Sequence, residues 1–203
     1  MIGTIGSAPT IGTRTSGISA PVLGGVPYLA GIGNMAKVEA ACALAPDPVR
    51  RLGALAVMIA EDAERLWQRL RLTNAEHERL ASMADGWWRV TPAEEAAARA
   101  LLYRLGPERF IDRVLLAWAR SEAGAADAHW RAMAALPQRW TAPAFPIKAA
   151  DLMARGIAKG RGLGAALAQA EQAWIARGFP ADKAALAEIA DAVARDAIGG
   201  PAG

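Results

Sequence analysis

An all-α fold, an irregular array of many helices, follows from three features of the sequence. Apolar residues recur at spacings of three and four along most of the chain, which places them on one face of a helix. Capping and stop residues punctuate this pattern. No stretch after Val26 alternates strictly between apolar and polar residues, as a half-buried strand would. Composition agrees. Of the 203 residues 53 % are hydrophobic, yet mean hydropathy is only +0.14. The excess is alanine, a strong helix former that packs closely. The length suits one domain or two small ones and is enough to bury a sizeable core.

Residues 1–19 keep no period and are rich in Gly, Thr, Ser and Ile, which reads as a disordered or non-homologous leader. Gly3, Gly6, Gly12 and Gly17 do not form a phosphate loop, because no strand precedes them and no helix pattern follows at once. The helical signal starts at Pro46. Asp47-Pro48 opens a helix, and Leu52, Leu55, Ala56, Ile59, Ala63, Leu66 and Leu70 give it one apolar face to about Leu72. Thr73-Asn74-Ala75-Glu76 is a capping box for the next helix. Thr91-Pro92-Ala93-Glu94 starts another, with a cap, a first-turn proline and an acid three residues on. Gly106-Pro107 ends it and begins a helix whose inward face holds Phe110, Val114, Leu115 and Trp118, and Gly124 stops that one. A further helix passes through Met133 to Leu136, and the proline- and aromatic-rich loop Pro137 to Pro146 marks a subdomain boundary. Beyond it lie a short helix (Ile147 to Ala154), a glycine-rich basic link, a long helix (Gly162 to Arg177) stopped by Gly178, and a last helix (Asp182 to Asp196). The expected organisation is a helical body over 20–136, a helical tail over 137–198 and a disordered end over 199–203.

Charge and cysteine usage narrow the function classes. Net charge is +3 and the isoelectric point about 9.4, a mild preference for anionic partners. The longest apolar runs, such as Leu55 to Ala60, fall far short of the ~18 residues of a membrane helix, so no membrane partner is expected. No secretory signal is visible at the N-terminus. Cys42 is the only cysteine, which excludes an internal disulfide and a cysteine-built zinc site and fits a reduced, cytoplasmic setting.

Catalytic chemistry finds little to work with. Nucleotidyl transfer needs clustered carboxylates on Mg2+, commonly Asp-x-Asp on a strand, and no Asp-x-Asp occurs. The nearest pattern, Asp62-Ala63-Glu64, falls inside a helix, where residues two apart point ~200° away from each other. His77 and His129 lie on different helices with no nucleophile in a suggestive setting. No catalytic residue and no metal site is assigned. Trp67, Trp118, Trp130 and Trp174 fall at positions suited to the core. Trp87, Trp88 and Trp140 lie near breaks beside Arg89 and Arg139, where packing at helix junctions and stacking on bases are both open.

The segment 147–164 is the most informative. It gathers Lys148, Arg155, Lys159 and Arg161 around Gly156, Gly160, Gly162 and Gly164, just before a long helix. Glycines permit close approach, and a helix start offers free N–H groups and the positive end of the dipole. This suits a phosphate of an RNA backbone. A tight interhelix turn with solvated bases explains the same residues, and no Gly-Lys-Ser/Thr of a nucleotide-binding loop is present.

Phe145-Pro146-Ile147-Lys148, then Asp151-Leu152, Gly156, Gly160, Gly164, Leu167, Glu171 and Trp174, resembles the C-terminal region of bacterial tRNA nucleotidyltransferases (CCA-adding enzymes) of the poly(A) polymerase family. The family form is close to Ile-Lys-Gly-x-Asp-Leu, a glycine, Gly-Pro-x-x-Gly, then a leucine-bearing helix. Upstream, residues 22–30 and 45–52 resemble the alphaproteobacterial branch, so the similarity covers about Ala20 to Asp196. Ala149 stands where the family usually has glycine, and Arg161 where it often has proline. The resemblance implies a helical body and tail that grip the tRNA backbone by shape and charge. It makes Lys148, Arg155, Lys159, Arg161 and Arg139 candidate RNA contacts, and Asp151, Gly156, Gly160 and Gly164 structural motif residues. The family's catalytic head, with its paired aspartates, is not among these residues. Mg2+, CTP and ATP would then enter only through a head supplied separately, and the chain by itself would be inactive. Glu61-Asp62-Ala63-Glu64-Arg65 matches the family's nucleotide-selecting motif by letters but falls in the middle of the body, where the match is read as coincidence. CCA addition and poly(A) addition both stay open as the ancestral activity, no DNA partner is expected, and the competing reading is a helical scaffold for a separate head or other protein, or a gene fragment without activity.

Overall fold

The computed structural model describes residues 29–92 and 94–199. The leader expected at 1–19, residues 22–28 of the family-like stretch and the chain beyond Gly199 lie outside the described residues. Among the described residues there are ten α-helices, one 3-10 turn and no strand, as an all-α fold requires. The helices are α1 (Leu29–Ala41), α2 (Pro48–Ala56), α3 (Ala60–Leu70), α4 (Asn74–Ala84), α5 (Glu95–Arg120), α6 (Ala128–Ala134), α7 (Leu136–Arg139), α8 (Ala149–Met153), α9 (Arg161–Ala176) and α10 (Lys183–Gly199). The 3-10 turn is Trp87–Arg89. No helix among the described residues is long and apolar enough to cross a membrane.

Local signals set many of these boundaries. Asp47 caps α2 by accepting from Arg50 N at 2.8 Å, with Pro48 in the first turn. The Thr73 box forms as expected: Thr73 Oγ1 accepts from Glu76 N, and Glu76 Oε2 accepts from Thr73 N at 2.8 Å. Gly178, with φ +77°, ends the turn after α9. At Gly106 (φ +73°) α5 is broken into two helical halves, with Pro107 opening the second.

Three expectations need correction. The apolar face from Pro48 to Leu72 is two helices, because the chain leaves the helix at Val57 and re-enters at Ala60. Other parts of the molecule satisfy the freed backbone. Asp62 Oδ2 accepts from Met58 N and Ile59 N at 2.8 and 3.0 Å, Arg120 donates to Val57 O at 2.6 Å, and Trp87 Nε1 donates to Met58 O at 3.2 Å. The Thr91 cap does not form. α5 begins at Glu95 with Glu94 as an N-cap that makes no side-chain bond. Third, α1 precedes Pro46, where no helix was assigned. Its buried positions include Met35, Val38 and Glu39, and the acid breaks the apolar pattern.

Two cores result. The first gathers α1 to α7 around the second half of α5, where Phe110, Val114, Leu115, Leu116 and Trp118 are at most 1 % exposed. Full burial of each such side chain contributes ~1.5–3 kcal/mol. Trp118 stacks on Trp130, with centroids 6.2 Å apart and planes 6° apart. Inside this core runs a line of charge. Asp112, 0 % exposed, accepts from Arg50 Nε (3.0 Å) and from Arg79 Nε and Nη2 (2.7 and 2.9 Å). Glu39, 1 % exposed, accepts from Arg50 Nη1 (3.1 Å), Arg51 Nε (2.9 Å) and Asp47 N (3.1 Å). The second core unites α8, α9 and α10 through Leu152, Ile157, Leu163, Trp174, Ile189 and Val193. The irregular stretch 140–148 joins the two. Ala100 and Tyr103, in the first half of α5, pack on the second core. There Tyr103, Phe145 and Phe179 surround Trp174 at centroid distances of 5.0–5.6 Å.

Candidate nucleic-acid interface

The basic glycine-rich link becomes a short, well-anchored turn between α8 and α9. Asp151 is the acid in the first turn of α8, and its Oδ2 accepts from Lys148 N at 2.7 Å. Leu152 (0 % exposed) and Ile157 (7 %) pin the two sides of the turn into the second core, and Ile157 N closes it onto Leu152 O at 3.3 Å. Gly156 and Gly160 hold φ of +95° and +148°, a region that side chains disfavour. α9 then starts at Arg161 without a side-chain cap and without an acid in its first turn. Leu163 N donates to Gly160 O at 3.1 Å, and no side chain caps the other first-turn N–H groups or offsets the positive end of the dipole.

The candidate bases divide into two sets. Lys148, Lys159 and Arg161 are exposed, and their side chains meet no acceptor among the described residues. Arg155 is committed within the fold. Its Nε donates to Asp191 Oδ1 of α10 at 2.5 Å and its Nη1 to Asp151 O at 2.8 Å, so it ties α8 to α10. Arg139 sits at the end of α7 on the first core and donates to Ala132 O at 3.2 Å and Glu95 Oε2 at 3.3 Å.

The glycines carry a further signal. A Cβ built at Gly160, Gly162 or Gly164 would meet nothing within 4 Å, whereas one at Gly53 would strike Met83 Cε at 2.7 Å. Packing inside the chain explains Gly53. It does not explain Gly162 and Gly164, which stand in the first turns of a helix, where each costs roughly 1 kcal/mol relative to alanine. They leave the start of α9 bare on either side of the buried Leu163, beside Lys159 and Arg161.

Other residues singled out in the sequence have structural work. Asp62 caps α3 and pairs with Arg65, so Glu61 to Arg65 is a solvated helix start. His77 stacks on Trp67 at 4.6 Å and faces Glu64 Oε2 at 3.3 Å, and the side chain of His129 is 81 % exposed. Trp87 packs under Arg120, whose guanidinium carbon is 4.5 Å from the ring centroid. Trp140 packs against Phe179 at 5.2 Å, while Trp88 stays 54 % exposed. Burial raises the Cys42 thiol above its ordinary value, which makes it a poorer nucleophile.

The molecule is thus a two-core helical array with an uncapped, glycine-lined basic turn on its second core. No family model matches the chain. It is similar to a Rhodospirillum rubrum protein described as an uncharacterized 28 kDa protein in petA 5'region, with 40 % identity over 88 residues. That match takes in 40 % of this chain and 34 % of that protein, so the chain spans about a third of the relative's length.

Proposed function

We propose that the chain is an RNA-gripping helical module, the tRNA-binding C-terminal portion of a protein like the CCA-adding tRNA nucleotidyltransferases. The observation that carries this reading is the bare, uncapped start of α9. Gly162 and Gly164 lack side chains where nothing in the fold fills the space, and they adjoin Lys159, Arg161 and an uncapped helix start. An RNA backbone makes use of each of these features, since phosphates take hydrogen bonds from basic side chains, free N–H groups and helix N-termini. The family resemblance of residues 145–174 supports the same assignment. The module recognises the shape and charge of a folded RNA, and the chemistry of nucleotide addition belongs to a separate head.

The test is binding of labelled tRNA by the intact chain at two salt concentrations, beside a Lys148→Ala/Lys159→Ala/Arg161→Ala variant. The expected result is salt-dependent binding, with the slope in the variant shallower by about two to three, one per lost phosphate contact. Absence of tRNA binding by the folded chain would sink this reading and favour a protein-binding scaffold.

A further inference from the structure

Three arginines converge on a cavity that the basic turn does not involve. It has a volume of about 400 Å3 and is lined by residues of the 3-10 turn region and the first half of α5. Arg89, Arg104 and Arg113 contribute its charge, Asp85 is the one acid among the lining residues, and Val90, Ala98 and Leu101 give it an apolar floor. Elsewhere on these helices arginines sit on carboxylates: Arg79 on Asp112 at 2.7 Å, Arg99 on Glu95 at 2.6 Å, and Arg109 on Glu78. Around the cavity that neutralisation is thin, with Asp85 alone reaching Arg113 at 3.5 Å. Arg89 lies over the Trp88 ring, 5.9 Å from its centroid, with no acidic partner among the described residues, and Arg104 donates to the neutral Gln172 Oε1 at 2.8 Å.

Arg113 is the unusual member. It is 7 % exposed, and its one acidic contact among the described residues is Asp85 at 3.5 Å, a side chain that is itself 84 % exposed. Its Nη2 also donates to Ser82 Oγ at 3.2 Å, and its buried Nε has no acceptor among the described residues. Burial pulls its pKa below the usual arginine range. A guanidinium so enclosed and so weakly paired is costly to the fold. A phosphate group would correct this with acceptor oxygens and negative charge in the geometry that guanidinium groups favour.

We propose that this cavity is a phosphate site, in which Arg104 and Arg113 hold the oxyanion, Arg89 closes the rim beside the exposed Trp88, and the organic part of the ester lies on the apolar floor. Two sources share that chemistry, a nucleic-acid backbone and a free phosphate ester, and the experiment separates them.

The readout is the Arg113 Nε–H resonance together with the Gly86 amide, followed by nitrogen-resolved NMR on the full chain. Inorganic phosphate and pyrophosphate are titrated at constant ionic strength, against chloride. Saturable shifts are expected with both phosphates and none with chloride. Arg104→Gln should weaken binding by about tenfold to a hundredfold, the loss of a charge-assisted hydrogen bond. Asp85→Asn should tighten it about fivefold, as removal of one nearby negative charge in a watery setting would. Both side chains are exposed, and urea midpoints separate an effect on the site from any stability lost when Asp85→Asn takes the charge facing Arg113. Failure of phosphate and pyrophosphate to shift Arg113, or shifts indifferent to both substitutions, overturns the proposal. The titration contains no RNA, so its failure is distinct from failure of the RNA-binding reading. With the site established, tRNA binding by Arg104→Gln identifies the source. A salt slope lower by about one places a backbone phosphate there, and an unchanged slope makes the occupant a free phosphate ester.

Discussion

Replacing Asp112 with alanine tests whether the buried line of charge holds the first core together. Asp112 is 0 % exposed and joins Arg50 of α2 to Arg79 of α4 from its own place on α5. Alanine would remove three acceptor contacts at once. Arg50 would keep only Glu39, at 3.1 Å, inside a core where it is 8 % exposed. Arg79 would fall back on Asp47 at 2.9 Å and on the exposed Glu108 at 3.5 Å. Removing one partner of a buried pair typically costs ~3–5 kcal/mol, against a total stability of ~5–15 kcal/mol. For a chain of this size that corresponds to a fall of roughly 6–20 °C in Tm. Urea denaturation of the wild type and the variant, followed by circular dichroism at pH 7, measures it. A companion variant, Asp112→Leu/Arg50→Met/Arg79→Leu, removes Asp112 with both its arginines and should recover part of the loss, since it leaves no unpaired guanidinium and Glu39 keeps Arg51 and the Asp47 N–H. A loss below ~1 kcal/mol in Asp112→Ala would refute the reasoning, because the remaining acids would then suffice for both arginines.

Three other predictions follow from the description. Gly164→Ala should raise stability by up to ~1 kcal/mol yet weaken tRNA binding, and thermal melts beside binding isotherms would expose a wrong assignment if both moved together. Arg155→Ala and Asp191→Ala should each destabilise slightly and prove non-additive, with a coupling of ~0.2–1 kcal/mol in a double-mutant cycle; a coupling of zero would deny the tie between α8 and α10. Burial pushes the Asp47 carboxyl up, but the Arg50 N–H and the Arg79 guanidinium outweigh it, so its pKa lies below the ordinary value. Its stabilising effect is therefore full above about pH 4 and is lost as pH falls through the folded value, so the stability gap between wild type and Asp47→Asn should narrow below that pH and stay constant above it.

What could be read in the sequence was local. The Thr73-to-Glu76 box, the Asp47-Pro48 start and the Gly178 stop each involve residues within one turn of each other, and all three form. The break between α2 and α3 was not legible, because apolar spacing continues across it while Arg120 and Trp87 make it affordable from far along the chain. α1 is not legible either, because a buried acid, Glu39, occupies its inner face and finds Arg50 and Arg51 only after folding. The basic turn was visible as a cluster, but not the fact that Asp191, 36 residues on, removes Arg155 from it. The cavity around Arg113 left no signal at all, since Arg89, Arg104 and Arg113 are spread along the chain and only the scarcity of acid around them, Asp85 alone among the lining residues, marks them.

The first half of α5 is shared property. Ala98 and Leu102 belong to the first core, while Ala100 and Tyr103 pack on the second, and Tyr103 donates to Glu171 of α9 at 2.5 Å. A single turn of helix thus carries residues of both hydrophobic units. Neither unit can melt without stripping one face of that turn, so heating should give one calorimetric peak with no plateau between two. The connection at 140–148 is held in the same way, since Trp140 of the first core rests on Phe179 and Phe145 on Trp174, so neither its length nor the face of α5 that two neighbours read at once is free to drift over evolution.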